Sequence, residues 1–317
     1  MSFRLLGTGS AVPEKILTNE EMSSIVDTND EWITTRVGIS ERRVSVTETT
    51  ASLAASAAER ALEMAGVGAD ELDLIIAATI TPDDVSPTTA GWVQRIIGAK
   101  CPAFDINSAC SGFLFALETA DGYFSSGKYK KILVIGAERI SKIVDWKDRS
   151  TCVIFGDGAG AAVLGEGDGY LASEIHTYGG DEVIRIPAYG GTSIFNENEV
   201  SEPTIIMHGQ ETFKFAVNEL INHVLNLTAG LGITPADLAY IVPHQANRRI
   251  ISFAMKKLGL PEEKFVVNIE RYGNTAAASV PMALDELVRS GRLNRGDLIL
   301  LSAFGGGLSS GGCVIRW

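Results

Sequence analysis

Apolar residues are spaced in two ways along this chain, and the two alternate. In ASLAASAAERALEMAG, residues 51–66, they recur every three to four positions and the stretch ends in glycine, which predicts an amphipathic helix with a glycine stop. In ELDLIIAATI, residues 71–80, they stand side by side, as a strand buried on both faces requires. Repetition of such pairs predicts an α/β architecture.

The pattern also repeats at long range. GVGADELDLIIAA, starting at Gly66, matches GITPADLAYIVPH, starting at Gly232: glycine, an acidic segment with Leu72 or Leu238, then a buried strand. ETADGYFSSGKYKKILVIGAE matches PMALDELVRSGRLNRGDLILLSAF in the same order, with Gly127 opposite Gly291. Near-equal separations in two ordered blocks predict an internal duplication, with one half at 1–170 and the other at 171–317. Projected across the repeat, Cys110 falls opposite Asn274 and Ala78 opposite His244. Residues 179–203, rich in Gly, Asn and Glu, are expected to form a surface excursion of the second half.

With 317 residues, 45% of them hydrophobic, the chain can bury a sizeable core. It has no run of eighteen apolar residues, and MSFRLLGTGSAVPEK lacks a signal-peptide pattern, so no membrane span and a cytoplasmic location are expected. A net charge of -12 argues against nucleic acid as a partner, and an acidic protein partner needs a local basic patch. Cys101, Cys110, Cys152 and Cys313 lie far apart with no metal-ligand spacing, so free thiols and no bound metal are expected.

Cys110 stands among small residues in SACSGF, at the start of a helical pattern, where free backbone amides favour thiolate over thiol. His244 follows a buried strand in YIVPHQANRRI, the carboxyl end at which α/β sheets place ligands. Asn274, in YGNTAAAS, reads in isolation as a cap or turn residue. FGDGAGAAVL, residues 155–164, lacks the Lys-Ser/Thr end of a phosphate loop and leads into a strand, which points to tight packing. SAFGGGLSSGG, residues 302–312, follows a buried strand and is placed to offer backbone amides to an oxyanion.

In order, SACSGF, GDGAGAAVL, PHQAN, YGNTAAAS and AFGGGLSSG, with TNDEWITTRVGISERR near the start, resemble the β-ketoacyl-acyl-carrier-protein synthase III family of the thiolase superfamily. The resemblance implies a thiolase-like fold of two pseudo-symmetric halves in α-β-α-β-α layers, and a homodimer. It implies a condensing enzyme that starts fatty-acid synthesis: Cys110 takes the acyl group from acyl-CoA, and malonyl-acyl-carrier protein then condenses with it, losing CO2. No cofactor is implied beyond acyl-CoA as substrate. His244 and Asn274 would hold the enolate, and the amides of Cys110 and Gly306 the acylation oxyanion. Trp32 and Arg149 would flank adenine, with Arg36 near phosphate and Asn247 beside the pantetheine arm. Arg248, Arg249, Lys256 and Lys257, with Lys214 nearby, form the candidate basic patch for the carrier. Ser86, where some members of the family carry a bulky aromatic at the neighbouring subunit's acyl pocket, suggests primers longer or more branched than acetyl.

A degradative thiolase needs a second cysteine where Phe304 and Gly305 stand, and elongating synthases carry a second histidine where Asn274 stands. Chalcone-synthase-like enzymes share the Cys, His and Asn set but are typically longer. The alternatives are a quinolone- or polyketide-type condensing enzyme and a non-catalytic carrier-binding protein of the same fold. Primer length and branching, and primary versus secondary metabolism, are not legible from the residues.

Overall fold

The computed structural model describes residues 2–188 and 203–317. One sheet has the order Ser2–Ala11, Asp157–Gly167, Lys131–Arg139, Leu74–Ala78, Ala103–Ile106. A second has the order Tyr170–Thr177, Ser309–Arg316, Leu298–Gly305, Tyr240–Pro243. Each places antiparallel pairs on one side and parallel pairs on the other. A parallel bridge from Ile241 to Phe265 supplies the second sheet's counterpart of Ala103–Ile106. The two topologies therefore match strand for strand.

Alternation along the strands assigns the layers. Leu74, Ile76, Val134, Ile299, Leu301 and Ile315 belong to one buried cluster together with Phe113 and Leu117 of helix Gly112–Ser125 and Leu284 of helix Ser279–Arg289. Their neighbours Ile75, Ala77, Leu133 and Ile135 pack outward against helix Thr50–Ala65, and Ile241, Leu300 and Val314 against helices Gly209–Gly230 and Arg248–Leu258. Five layers result, two sheets separated by a pair of helices and covered by outer helices. Strands buried on both faces explain why the sequence reads there as unbroken apolar runs.

Helix boundaries obey local chemistry. Thr49 caps Thr50–Ala65 through Ser52, and Gly66 ends it at φ 62°. Gly232, its match in the repeat, has φ 68°, and Gly127 and Gly291 both have φ 70°. Glycine, lacking a Cβ, adopts the left-handed backbone at little cost, so the repeat is written in its stops.

One projection needs correction. Cys110 lies in the turn Ala109–Ser111, whose first residue has φ 46°; the turn Ala276–Ala278 opens the same way, with φ 45° at Ala276. The structural counterpart of Cys110 is thus Ala277, and Asn274 precedes its turn, held by a parallel bridge to Phe155. Ala78 and His244 do fall at the ends of equivalent strands. The stretch expected as a surface excursion is largely exposed where described, and its Ile184, Ile186, Pro187, Ala188 and Pro203 also line the central cavity; residues 189–202 of that stretch lie outside the described residues. The 155–164 stretch does serve packing, since a Cβ on Gly160 would meet the Met282 nitrogen at 2.7 Å.

All four cysteines are free thiols. Among the described residues no cluster of His, Cys, Asp and Glu is arranged to hold a metal, and no helix is long and apolar enough to cross a membrane.

The halves meet at very short range. A Cβ on Gly136 would lie 2.2 Å from the Ala277 carbonyl oxygen. Gly136→Ala is expected to lower stability by about 3 kcal/mol through this overpacking. Gly122→Ala, in an exposed helical position with nothing within 4 Å, is expected to raise it by about 0.5 kcal/mol or more. Thermal unfolding of the two variants against the parent checks both signs.

Candidate active site

A cavity of about 990 Å³ opens between the halves, and Cys110, His244, Asn274 and Gly306 all line it. Cys110 stands on a strained turn at the amino end of helix Gly112–Ser125. Its backbone rests on the second sheet: a Cβ on Gly305 would come within 2.8 Å of the Cys110 nitrogen. Burial pushes the thiol up to about 12, and the charge of Glu138 adds to that, while the cysteine's own backbone N–H acts the other way. Desolvation thus works against the thiolate that the helix start favours.

His244 is buried and uncharged, its pKa brought down to about 3 by desolvation. Its backbone N–H donates to the Ser302 carbonyl at 2.7 Å. The Ser279 hydroxyl accepts the Gln245 N–H at 2.7 Å and lies 2.9 Å from His244 Nδ1. The hydroxyl proton is available to Nδ1, and in the tautomer that accepts it the ring proton sits on Nε2. Phe304 packs edge-on against the imidazole, with ring centroids 5.2 Å apart.

Asn274 is oriented by its own turn. Its Oδ1 accepts the Ala276 N–H at 2.9 Å, so the Nδ2 amide remains as the free donor end. Its backbone is fastened at both groups, N–H to the Ile154 carbonyl at 2.9 Å and carbonyl to the Gly156 N–H at 3.0 Å. The preceding Gly273 has φ 64° and sits under Ile154, where a Cβ would lie 2.6 Å from the carbonyl oxygen. The cavity thus presents one thiol and two fixed N–H donors. Cys313, fully buried on Ser309–Arg316, does not line it.

Of the remaining expected residues, only Asn247 is among those that line the cavity. It caps helix Arg248–Leu258 through the Arg249 N–H and donates to the Arg36 carbonyl at 3.2 Å. Trp32 and Arg36 share one face of helix Asp30–Val37, with the Arg36 guanidinium 5.9 Å from the indole. Arg149 lies against the same indole at 5.1 Å, instead of across a gap wide enough for a base. It also donates to the Asp27 carbonyl at 3.0 Å.

Lys214, Arg249, Lys256 and Lys257 are exposed and, among the described residues, without a carboxylate partner. Arg249 and Lys257 lie over the rings of Phe213 and Phe253. Arg248 differs from its neighbours, being paired with Glu262 and packed over Gly38. Ser86 is exposed at the rim, where Asp84, Val85 and Thr88 line the cavity and Ser86 itself does not.

Two polar residues of this region escape a reading of the sequence. Ser279 is one hydroxyl in a run of small residues, and Glu138 ends the buried run KILVIGAE. A lone acid closing a buried strand was the available signal for the second.

Residues 104–179 match the model of the 3-oxoacyl-acyl-carrier-protein synthase III family, and residues 229–317 match the model of that family's C-terminal part. The beta-ketoacyl-acyl-carrier-protein synthase III of Clostridium acetobutylicum is 49% identical over 321 residues, covering 100% of this chain and 99% of that one. A synthase of the same name from Xanthomonas campestris is 49% identical over 318 residues, covering 99% and 98%. The crystal structure of 3-oxoacyl-acyl-carrier-protein synthase III from Aquifex aeolicus superposes with a TM-score of 0.93 at 45% identity, covering 99% and 100%. The priming β-ketosynthase of the R1128 polyketide pathway superposes at 0.92 with 36% identity, covering 99% and 96%. Identity of this extent over the whole length, on the same thiolase-like fold, settles what the ordered motifs implied: the chain belongs to the β-ketoacyl-acyl-carrier-protein synthase III family.

Proposed function

We propose that this protein catalyses the first condensation of fatty-acid synthesis, joining an acyl group from acyl-CoA to malonyl-acyl-carrier protein. The observation that carries this reading is the convergence of Cys110 with two N–H donors, His244 and Asn274, each locked by a separate hydrogen bond. In the first half-reaction the Cys110 sulfur attacks the thioester carbonyl, the carbon–sulfur bond to CoA breaks, and the thiol proton ends on the departing CoA sulfur. The Cys110 and Gly306 amides would hold the oxyanion.

In the second half-reaction the malonyl thioester loses CO2, and the electron pair left behind is held as an enolate by His244 Nε2–H and Asn274 Nδ2–H. Attack of this carbanion on the acyl-cysteine forms the new carbon–carbon bond and breaks the acyl carbon–sulfur bond, and the released Cys110 thiolate takes a proton from solvent to regenerate the thiol. Because both donors stay protonated throughout, the low pKa of His244 suits the task. A cytoplasmic homodimer is part of this reading. The nucleotide end of CoA would meet Trp32, Arg36 and Arg149, with Arg149 swinging off the indole to admit the adenine, and Asn247 would meet the pantetheine arm.

A polyketide-priming role stays as the second reading, supported by the likeness to the R1128 synthase. The higher identity to the fatty-acid synthases favours the first.

Acyl-CoA is expected to add one acyl mass to the protein, and Cys110→Ala to abolish the addition. Asn274→Ala is expected to keep acylation and lose condensation by about 10²–10³-fold, the effect of removing one donor to a developing oxyanion. Intact-mass spectrometry and single-turnover condensation separate the two half-reactions, and equal loss in both removes Asn274 from the enolate step.

The carrier docking surface is assigned to Lys214, Arg249, Lys256 and Lys257, with Arg248 held in place by Glu262. Reversing Arg249, Lys256 and Lys257 to glutamate is expected to raise the apparent KM for the malonyl carrier on the order of tenfold and to leave that for acyl-CoA within about twofold. Raising the salt should reproduce the effect in the parent enzyme.

The primer assignment rests on Ser86 at the cavity rim. In Ser86→Phe, kcat/KM is expected to fall for hexanoyl- and octanoyl-CoA while acetyl-CoA is spared, since a phenylalanine brings at least about 150 Å² of new surface. Strong preference of the parent for acetyl-CoA, or no narrowing in the variant, overturns the assignment.

A further inference from the structure

Glu138 is a fully buried carboxylate at the end of strand Lys131–Arg139, and the condensation described above makes no use of it. A buried carboxylate is retained only where its lone pairs are filled. Here the Thr79 hydroxyl donates to it at 3.1 Å, the Ile80 N–H at 3.2 Å, and the Thr81 hydroxyl also donates to it. From the other half, the Ala277 backbone amide favours its charged form. Thr79 and Ile80 line the cavity. Ala277 is the middle residue of the turn between Asn274 and Ser279, the residues that supply one donor and orient the other.

The contacts around it are tight. Gly136, two residues earlier on the strand, lies beneath the Ala277 carbonyl, and a Cβ on Gly112 would touch both Ala78 and Ala277, at 3.0 and 3.7 Å. The turn bearing Cys110 and the turn after Asn274 therefore rest on the same floor, and Glu138 is the charged group in it. Of the other charges nearby, Arg139 is turned to Asp83 at 3.4 Å. Lys142, which senses Glu138, donates to the Pro82 carbonyl, and Asp157 accepts from Ser45 and Ser141. His244 is neutral.

We propose that Glu138 is a positioning residue of the condensation site: it holds the Thr79–Thr81 wall and the Asn274–Ser279 turn in register, and its carboxylate sets the field felt by Cys110. The proposal rests on Cys110 being the nucleophile. Desolvation raises Glu138 to about 7, so it is charged above neutral pH and there opposes thiolate formation at Cys110. A carboxylate that hinders the nucleophile's ionisation is kept for the geometry it enforces on the enolate donors.

The test is the pH profile of Cys110 alkylation by iodoacetamide, read by mass, alongside single-turnover condensation. In Glu138→Gln the alkylation midpoint is expected to fall by about one pH unit as the like charge is removed. Condensation is expected to fall on the order of tenfold or more, because an amide N–H₂ cannot accept from the donors that surround it. In Glu138→Asp, which keeps the charge and shortens the reach, the midpoint should stay at the parent value while condensation still falls. An unmoved midpoint in Glu138→Gln, a midpoint in Glu138→Asp displaced as far as in Glu138→Gln, or full condensation in Glu138→Asp overturns the proposal. Should the glutamine variant fail to fold, the aspartate variant decides alone. Alkylation that persists in Cys110→Ala would instead overturn the choice of nucleophile, whatever the Glu138 variants do.

Discussion

Each reacting turn of this molecule sits on the other half's sheet. The turn of Cys110, from the first half, leans on Gly305 of the second, and the turn that follows Asn274, from the second half, leans on Gly136 of the first. Neither contact tolerates a Cβ, so the placement of Cys110 relative to Asn274 is set by backbone against backbone. Backbone contacts vary less than side-chain contacts, since no rotamer can absorb a shift. The remaining features serve this reciprocal seating: five layers bring the sheets together, and two central helices start at the two turns. Asp285 stitches across the seam by accepting from Thr8 at 2.8 Å and Ser10 at 2.6 Å while pairing with Arg289.

The same constraint accounts for the chemistry of the cavity. A seam tight enough to fix the turns also buries polar groups, and desolvation drives three of them toward their neutral forms: the thiol of Cys110, the imidazole of His244 and the carboxyl of Glu138. Neutrality suits hydrogen-bond donation by His244 and works against a resting thiolate. Glu138 keeps a charge above neutral pH, and further charge appears as it develops on the substrate, where fixed donors in a low-dielectric setting have the greatest effect.

Much of this was legible in the residues, and the reasons differ by element. Strands such as Leu74–Ala78 and Leu298–Gly305 announce themselves because both faces are buried, and the repeat because its glycine stops recur. Cys110, His244 and Asn274 could be nominated because each stands at the junction of a strand or turn with a helix. Pairing Cys110 with Asn274 failed for a local reason: the turns are marked by left-handed Ala109 and Ala276, and alanine carries no signature of that conformation. The forces opposing the thiolate were hidden, because a helix start is visible in a sequence whereas burial and a carboxylate brought in from another strand are not. Ser279 and Glu138 were hidden because their roles depend on partners 35 and 59 residues away.

The stack of Arg149 on Trp32 has a kinetic side. If Trp32 is the adenine shelf proposed above, Arg149 is an internal ligand for it, and an exposed cation–π contact of about 0.5–1 kcal/mol would weaken nucleotide binding by a factor of roughly two to five. In a two-step cycle the first product must vacate the cavity before the carrier's arm can enter. On that assignment, a shelf that covers itself would shorten the residence of spent CoA more than it slows the arrival of acyl-CoA, because such differences fall mainly on the rate of departure.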